Sequence, residues 1–179
     1  MSNSDARNDV YLHLTADFYV WLLYRAEVGD GEFQVGNLGT VEILMRDKLS
    51  FQSPTEDKMR AVITGEDAAN SAETKAALAS GKTLKDVKLI LRLEAATYSL
   101  SLRGGRLDIG GLKQEAHEAD GIPVEEDDSR EALLLLRMQE YNDIWSIIEQ
   151  LFHVFAEERT SATWAKTLNQ IRSWVHQVE

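Results

Sequence analysis

The most suggestive set of reactive side chains in the sequence is cationic. Lys58, Arg60, Lys82, Lys85, Lys88, Arg92, Arg103 and Arg106 all fall between positions 58 and 106. Guanidinium and ammonium groups at that density suit phosphate or carboxylate ligands. Val87, Leu89, Leu91 and Leu93 alternate with Lys88 and Arg92, so a strand through them has one apolar face and one basic face. The basic residues are therefore candidate DNA- or partner-binding groups on the wet side of a sheet. The same period turns Tyr98 inward, which leaves no aromatic side chain on that side for base stacking.

The charge balance divides the sequence into three. Residues 1–57 hold 4 basic and 10 acidic side chains, residues 58–114 hold 10 and 6, and residues 115–179 hold 5 and 14. The balances of −6, +4 and −9 sum to the net charge of −11. Such acidity disfavours DNA as a ligand at long range and favours a protein partner, so the basic central third has to act locally if it meets phosphate at all.

Other chemistries have weaker claims. His13, His117, His153 and His176 fall in four different elements, without the HExxH spacing that brings two imidazoles to one metal. Glu125-Glu126-Asp127-Asp128 offers hard oxygen donors but lacks the spaced ligands and glycine of a calcium loop. No GxSxG, GxxxxGK[ST] or GxGxxG after a strand is present, and Gly29-Asp30-Gly31, Gly104-Gly105 and Gly110-Gly111 read as turns. The sequence has no cysteine, which removes disulfides, thiolate ligands and thiol nucleophiles. No catalytic, cofactor-binding or metal-binding residue is assigned, no cofactor is expected, and the expected role is non-enzymatic. Met1–Asp9 is polar, unlike a secretory leader, and no apolar run is long enough for a membrane span, so a cytoplasmic location and no membrane partner are expected.

Residues 1–12 read as a flexible tail and 13–179 as one α+β domain. A first helix is expected over Ala16–Val28, capped by Thr15 and ended by a left-handed Gly29. Glu32–Val35 reads as an edge strand. Val41, Ile43 and Met45 open a strand that turns at Asp47-Lys48 into a second one at Leu49 and Phe51, closed by Pro54. Met59, Ala61 and Ile63 make another. Residues 66–82 read as a surface helix with Ser71 as N-cap and Gly81 just past its end. A hairpin pairs the Val87 strand with Tyr98, Leu100 and Leu102 through Glu94-Ala95-Ala96, and Gly104-Gly105 turns into a strand from Arg106 to Leu112. The antiparallel sheet thus has about five to six strands.

Residues 113–130 read as an acidic loop. A long helix starts near Ser129 with Leu134, Met138, Tyr141, Trp145, Ile148, Phe152 and Phe155 at three-or-four spacing, widened by Leu133, Leu136, Ile144, Ile147 and Leu151. Thr160 or Ser161 caps a last helix carrying Trp164, Leu168, Ile171, Trp174 and Val175. The first and long helices are expected to cover the greasy face of the sheet, with Trp145 and Phe152 among the buried anchors. Surplus apolar width on the C-terminal helices marks Trp145, Phe152, Trp164 and Trp174 as a candidate partner surface, for a homodimer or another protein.

Four segments together carry a resemblance. Phe18-Tyr19-Val20-Trp21-Leu22-Leu23-Tyr24-Arg25-Ala26-Glu27 looks like the FLxWLWxxSE-type segment of RdgC-like proteins. Ser80-Gly81-Lys82, Val87 to Leu91 and Tyr98 to Leu102 resemble their C-terminal half. Leu151 to Phe155, then Ser161 to Trp164 and Ile171 to Val175, are similar to their ending. The likeness covers roughly residues 14–175 in the same order. It implies sequence-independent DNA binding by a ring-shaped dimer with a basic inner surface, acting on a RecA-type recombinase. Those proteins carry an N-terminal portion of comparable size that these 179 residues do not include, and their ring is basic where this sequence is acidic.

Overall fold

The computed structural model describes residues 3–36, 39–53, 60–65, 67–94, 96–115 and 127–177. Its elements run α1 (Asn3–Val28), β1 (Glu32–Val35), β2 (Gly39–Gln52), β3 (Arg60–Thr64), α2 (Ala72–Ala79), β4 (Thr83–Arg92), β5 (Thr97–Arg103), β6 (Asp108–Glu115), α3 (Asp127–Thr160) and α4 (Trp164–His176). The six strands form one antiparallel sheet in the order β1-β2-β4-β5-β6, with β3 also on β2. Glu42 pairs with both Glu32 and Arg92, and Leu49 with both Ile63 and Val87. So β1 and β3 lie end to end along the edge of β2 that faces away from β4. The fold is α+β, and α1, α2, α3 and α4 each contribute residues to the core cluster.

The core follows the period-two reading of the hairpin. Val87, Leu89, Leu91, Leu100 and Leu102 are buried in one cluster with Ile144, Ile147, Ile148, Leu151 and Phe155 of α3. Phe18, Trp21, Leu22 and Leu23 of α1 fill the centre of that cluster. Side chains of this size each stabilise by ~1.5–3 kcal/mol when fully buried.

Several boundaries differ from the sequence reading. α1 begins at Asn3, so residues 3–12 are helical and Thr15 caps nothing. Thr15 is buried and its hydroxyl donates to the Gly105 carbonyl at 2.9 Å, tying the helix to the β5–β6 turn. Neither glycine nor proline interrupts the stretch before it. The left-handed position after α1 is Gly31, not Gly29. Asp47-Lys48 is not a turn, because β2 runs straight through it. Met45 pairs with Leu89 and Leu49 with Val87, so Arg46, Asp47 and Lys48 stand against Lys88 alone. The bulge absorbs the extra residues without ending the strand. α3 starts two residues early, and residues 113–115 belong to β6 rather than to a loop. Thr160 ends α3, and the residue before α4 is Thr163.

α2 is shorter than its window but capped as expected. The Ser71 hydroxyl accepts from the Thr74 amide at 3.2 Å and donates to the Ala68 carbonyl at 3.0 Å. At the other end Gly81 has φ +77°, its amide donating to Leu78 and that of Lys82 to Ala77, which satisfies two orphan carbonyls. Ser71→Ala should cost about 1 kcal/mol in chemical denaturation, as other caps do. A loss below about 0.3 kcal/mol would mean that solvent replaces the hydroxyl freely.

Candidate nucleic-acid interface

Among the described residues, the helices pack on one side of the sheet. Register places Glu42, Leu44, Ser50, Asp86, Lys88, Ile90, Arg92, Ser99, Ser101 and Arg103 on the other, outer side, each opposite another of the set. Lys48 and Arg60 join it through β3, and Lys113 through β6. Counting Arg46 by alternation along β2, seven basic residues (Arg46, Lys48, Arg60, Lys88, Arg92, Arg103, Lys113) stand with five acidic ones (Glu32, Glu42, Asp86, Asp108, Glu115). The α3 segment, in the other layer, contains eight acidic and three basic residues. The fold therefore separates the charge that the sequence distributes in thirds.

Two outer pairs are internally neutralised. Arg92 meets Glu42 at 3.2 Å and Arg46 meets Glu115 at 2.6 Å. The second pair joins β2 to β6 over the two strands between them. Strands that far apart are separated by ~14 Å, so both side chains must lie extended across the outer face to meet. Ile90, an outward residue by register, is nonetheless buried.

Three of the outer cations share one cleft. Lys48, Lys88 and Arg103, with Ser50, Ser101 and Asp86, line a shallow cleft of about 260 Å³. The guanidinium of Arg103 lies on Gly110, where a Cβ would come within 3.0 Å of its Cζ. A side chain at 110 would push the guanidinium off the strand. Three cations and two hydroxyls form a donor-rich bed of the kind that binds phosphate oxygens, with the Asp86 carboxylate beside them. No aromatic residue stands on the outer face among the described residues.

The structure brings together only part of the basic set expected from sequence. Lys88 and Arg103 share the cleft, Arg60 is exposed on β3, and Arg92 is engaged by Glu42. Lys85 is the extra residue of a second bulge, between the Ser50–Asp86 and Phe51–Leu84 pairs. Arg106 sits in the 3-10 turn before β6. Lys82 lines a cleft between α1, α2 and α4, away from the sheet face. Lys58 lies outside the described residues. Lys48 was missed because it was read as a turn. Reading β2 without a break places it outward by simple alternation.

The expected partner surface is likewise divided. Trp174 is 5% exposed and packs edge-on against Tyr24 at 5.9 Å, at the wall of a cleft between α1 and α4. Phe152 and Trp164 are half-buried, on Phe18 at 5.2 Å and on Phe155 at 5.9 Å. Trp145, expected in the core, is 39% exposed and continues an outward stripe with Leu134, Met138 and Tyr141. Leu135 and Leu136 are also exposed, and a groove of about 620 Å³ separates Leu136 and Tyr141 from Leu112 of β6.

Among the described residues, no group of three His, Asp or Glu side chains is placed to hold a metal, and no helix is long and apolar enough to cross a membrane. Burial, then the carboxylates of Asp86 and Asp108, push the Tyr19 phenol far above its ordinary range. It stays protonated and donates to the Gly104 carbonyl at 3.0 Å. In comparison with known proteins, no family model, no curated protein and no solved structure matches the chain.

Proposed function

We propose that this chain is a non-enzymatic module that lays the outer face of its sheet on a nucleic-acid backbone, independently of base sequence, in DNA recombination or replication. The observation that carries this reading is the cleft in which Lys48, Lys88 and Arg103 converge beside Ser50 and Ser101. The resemblance to RdgC-like proteins points the same way. The absence of an outer aromatic among the described residues argues for phosphate contact over base readout.

Fluorescence anisotropy with a duplex oligonucleotide tests it. Three phosphate contacts give a log–log salt slope of about −2.7, so affinity should fall about 40-fold between 50 and 200 mM salt. Replacing Lys48, Lys88 and Arg103 together by alanine should flatten that slope, while changing Lys82 and Arg106 should not. Absence of binding at 50 mM salt, or an unchanged slope in the triple variant, would refute DNA contact. The exposed stripe Leu134, Met138, Tyr141 and Trp145 favours a second reading, a protein-interaction subunit with no nucleic-acid contact.

A further inference from the structure

A separate cluster of basic residues lies on the helical layer. A cleft of about 340 Å³ opens between α1, the α2–β4 corner and α4. Val20, Leu84, Ile171 and Val175 line its interior, and the last three are buried. Lys82, Arg172 and His176 stand around its mouth. No ion pair or side-chain hydrogen bond engages these three among the described residues. The carboxylate at the same cleft, Asp17, is held by Arg159 at 2.9 Å.

In a chain with net charge −11, three basic side chains left unanswered around one apolar hollow are complementary to an anion with an apolar body. The volume is at the lower end of the ~300–1,000 Å³ typical of small-ligand sites. We propose that this cleft binds an apolar chain ending in a carboxylate. The chain lies on Val20, Ile171 and Val175, and the carboxylate is held by Lys82, Arg172 and His176. A free fatty acid and the C-terminus of a peptide share this chemistry. The site is on the opposite layer from the cleft of Lys48 and Arg103, so neither proposal depends on the other.

Calorimetric titration of the full chain with octanoate, octanol and acetate tests it, together with acetyl-Ala-Leu-Leu as carboxylate and as carboxamide. One carboxylate-ended probe should saturate a single site, its uncharged analogue binding about tenfold more weakly or worse. Preference for octanoate identifies a free acid, and preference for the peptide carboxylate identifies a chain end. The double variant Lys82→Ala/Arg172→Ala should weaken the preferred probe about tenfold at an unchanged melting temperature. Amide shifts in the wild-type chain should centre on Val20, Leu84 and Val175. Octanol binding as well as octanoate, failure of both carboxylates to saturate at millimolar concentration, an unaffected double variant, or shifts centred elsewhere would each overturn the proposal.

Discussion

Trp21→Ala should lower the unfolding free energy by about 4–5 kcal/mol, the upper range for removing a buried aromatic side chain. Trp21 is fully buried, with Phe33 and Phe155 both 5.6 Å from it and Phe18 at 6.1 Å. Those three rings come from β1, α3 and α1, so one side chain joins three elements. Its indole Nε1 also donates to a Glu158 carboxylate oxygen at 2.9 Å, while the other oxygen accepts from the Thr167 hydroxyl at 2.6 Å. Arg25 lies over the rings of Trp21 and Phe33 and approaches Glu158 at 3.8 Å. Alanine leaves a cavity and removes a donor from a carboxylate that stays half-buried.

Phenylalanine at 21 separates the two losses. It keeps most of the ring contacts and drops the donor, so about 2 kcal/mol should be lost. Small domains are stable by only about 5–15 kcal/mol, so the alanine variant sits near the unfolding threshold at physiological temperature. Urea denaturation followed by far-ultraviolet circular dichroism measures both. An alanine loss under about 1.5 kcal/mol would show that α1 is not the centre of the core.

What sequence could reveal here depended on whether burial was local. In the β4–β5 hairpin, alternate residues must all enter the core or all leave it, so Val87, Leu89 and Leu100 were legible from period alone. The capping of α2 was legible for the same reason, since Ser71 and Gly81 act on their own neighbours. α3 was different. Its seam from Leu134 to Phe155 has uniform spacing, but burial depends on what lies beneath each turn. α3 runs from the β6 edge, where Leu136 faces Leu112 across a groove, to the β1 edge, where Gln150 meets Gly36. A helix of 34 residues is ~51 Å long and the sheet is roughly 20 Å across, so much of the seam has no sheet to cover it. The outer cleft was half legible. Lys88 and Arg103 followed from alternation, whereas Lys48 depended on knowing that a bulge would carry β2 past Asp47.

Gly31→Ala should cost about 3 kcal/mol, because two penalties meet at one atom. Gly31 has φ +67°, a conformation in which an L side chain is strained by about 1 kcal/mol or more. A Cβ there would also lie 2.7 Å from the carbonyl oxygen of Ile43. That oxygen cannot retreat cheaply, because the Gly31 carbonyl accepts from the Ile43 amide at 2.8 Å and Ile43 is fully buried. Moving either strand would open the start of the β1–β2 ladder, next to the Glu32–Glu42 pair. Gly39 is the natural control. It has φ +80° with nothing within 4 Å of its missing Cβ, so Gly39→Ala carries the conformational term alone, about 1 kcal/mol. The difference between the two variants in the same denaturation assay isolates the contact with Ile43. Equal losses at both positions would show that the turn relaxes to admit a methyl group, and that β1 is held less firmly on β2 than this geometry requires.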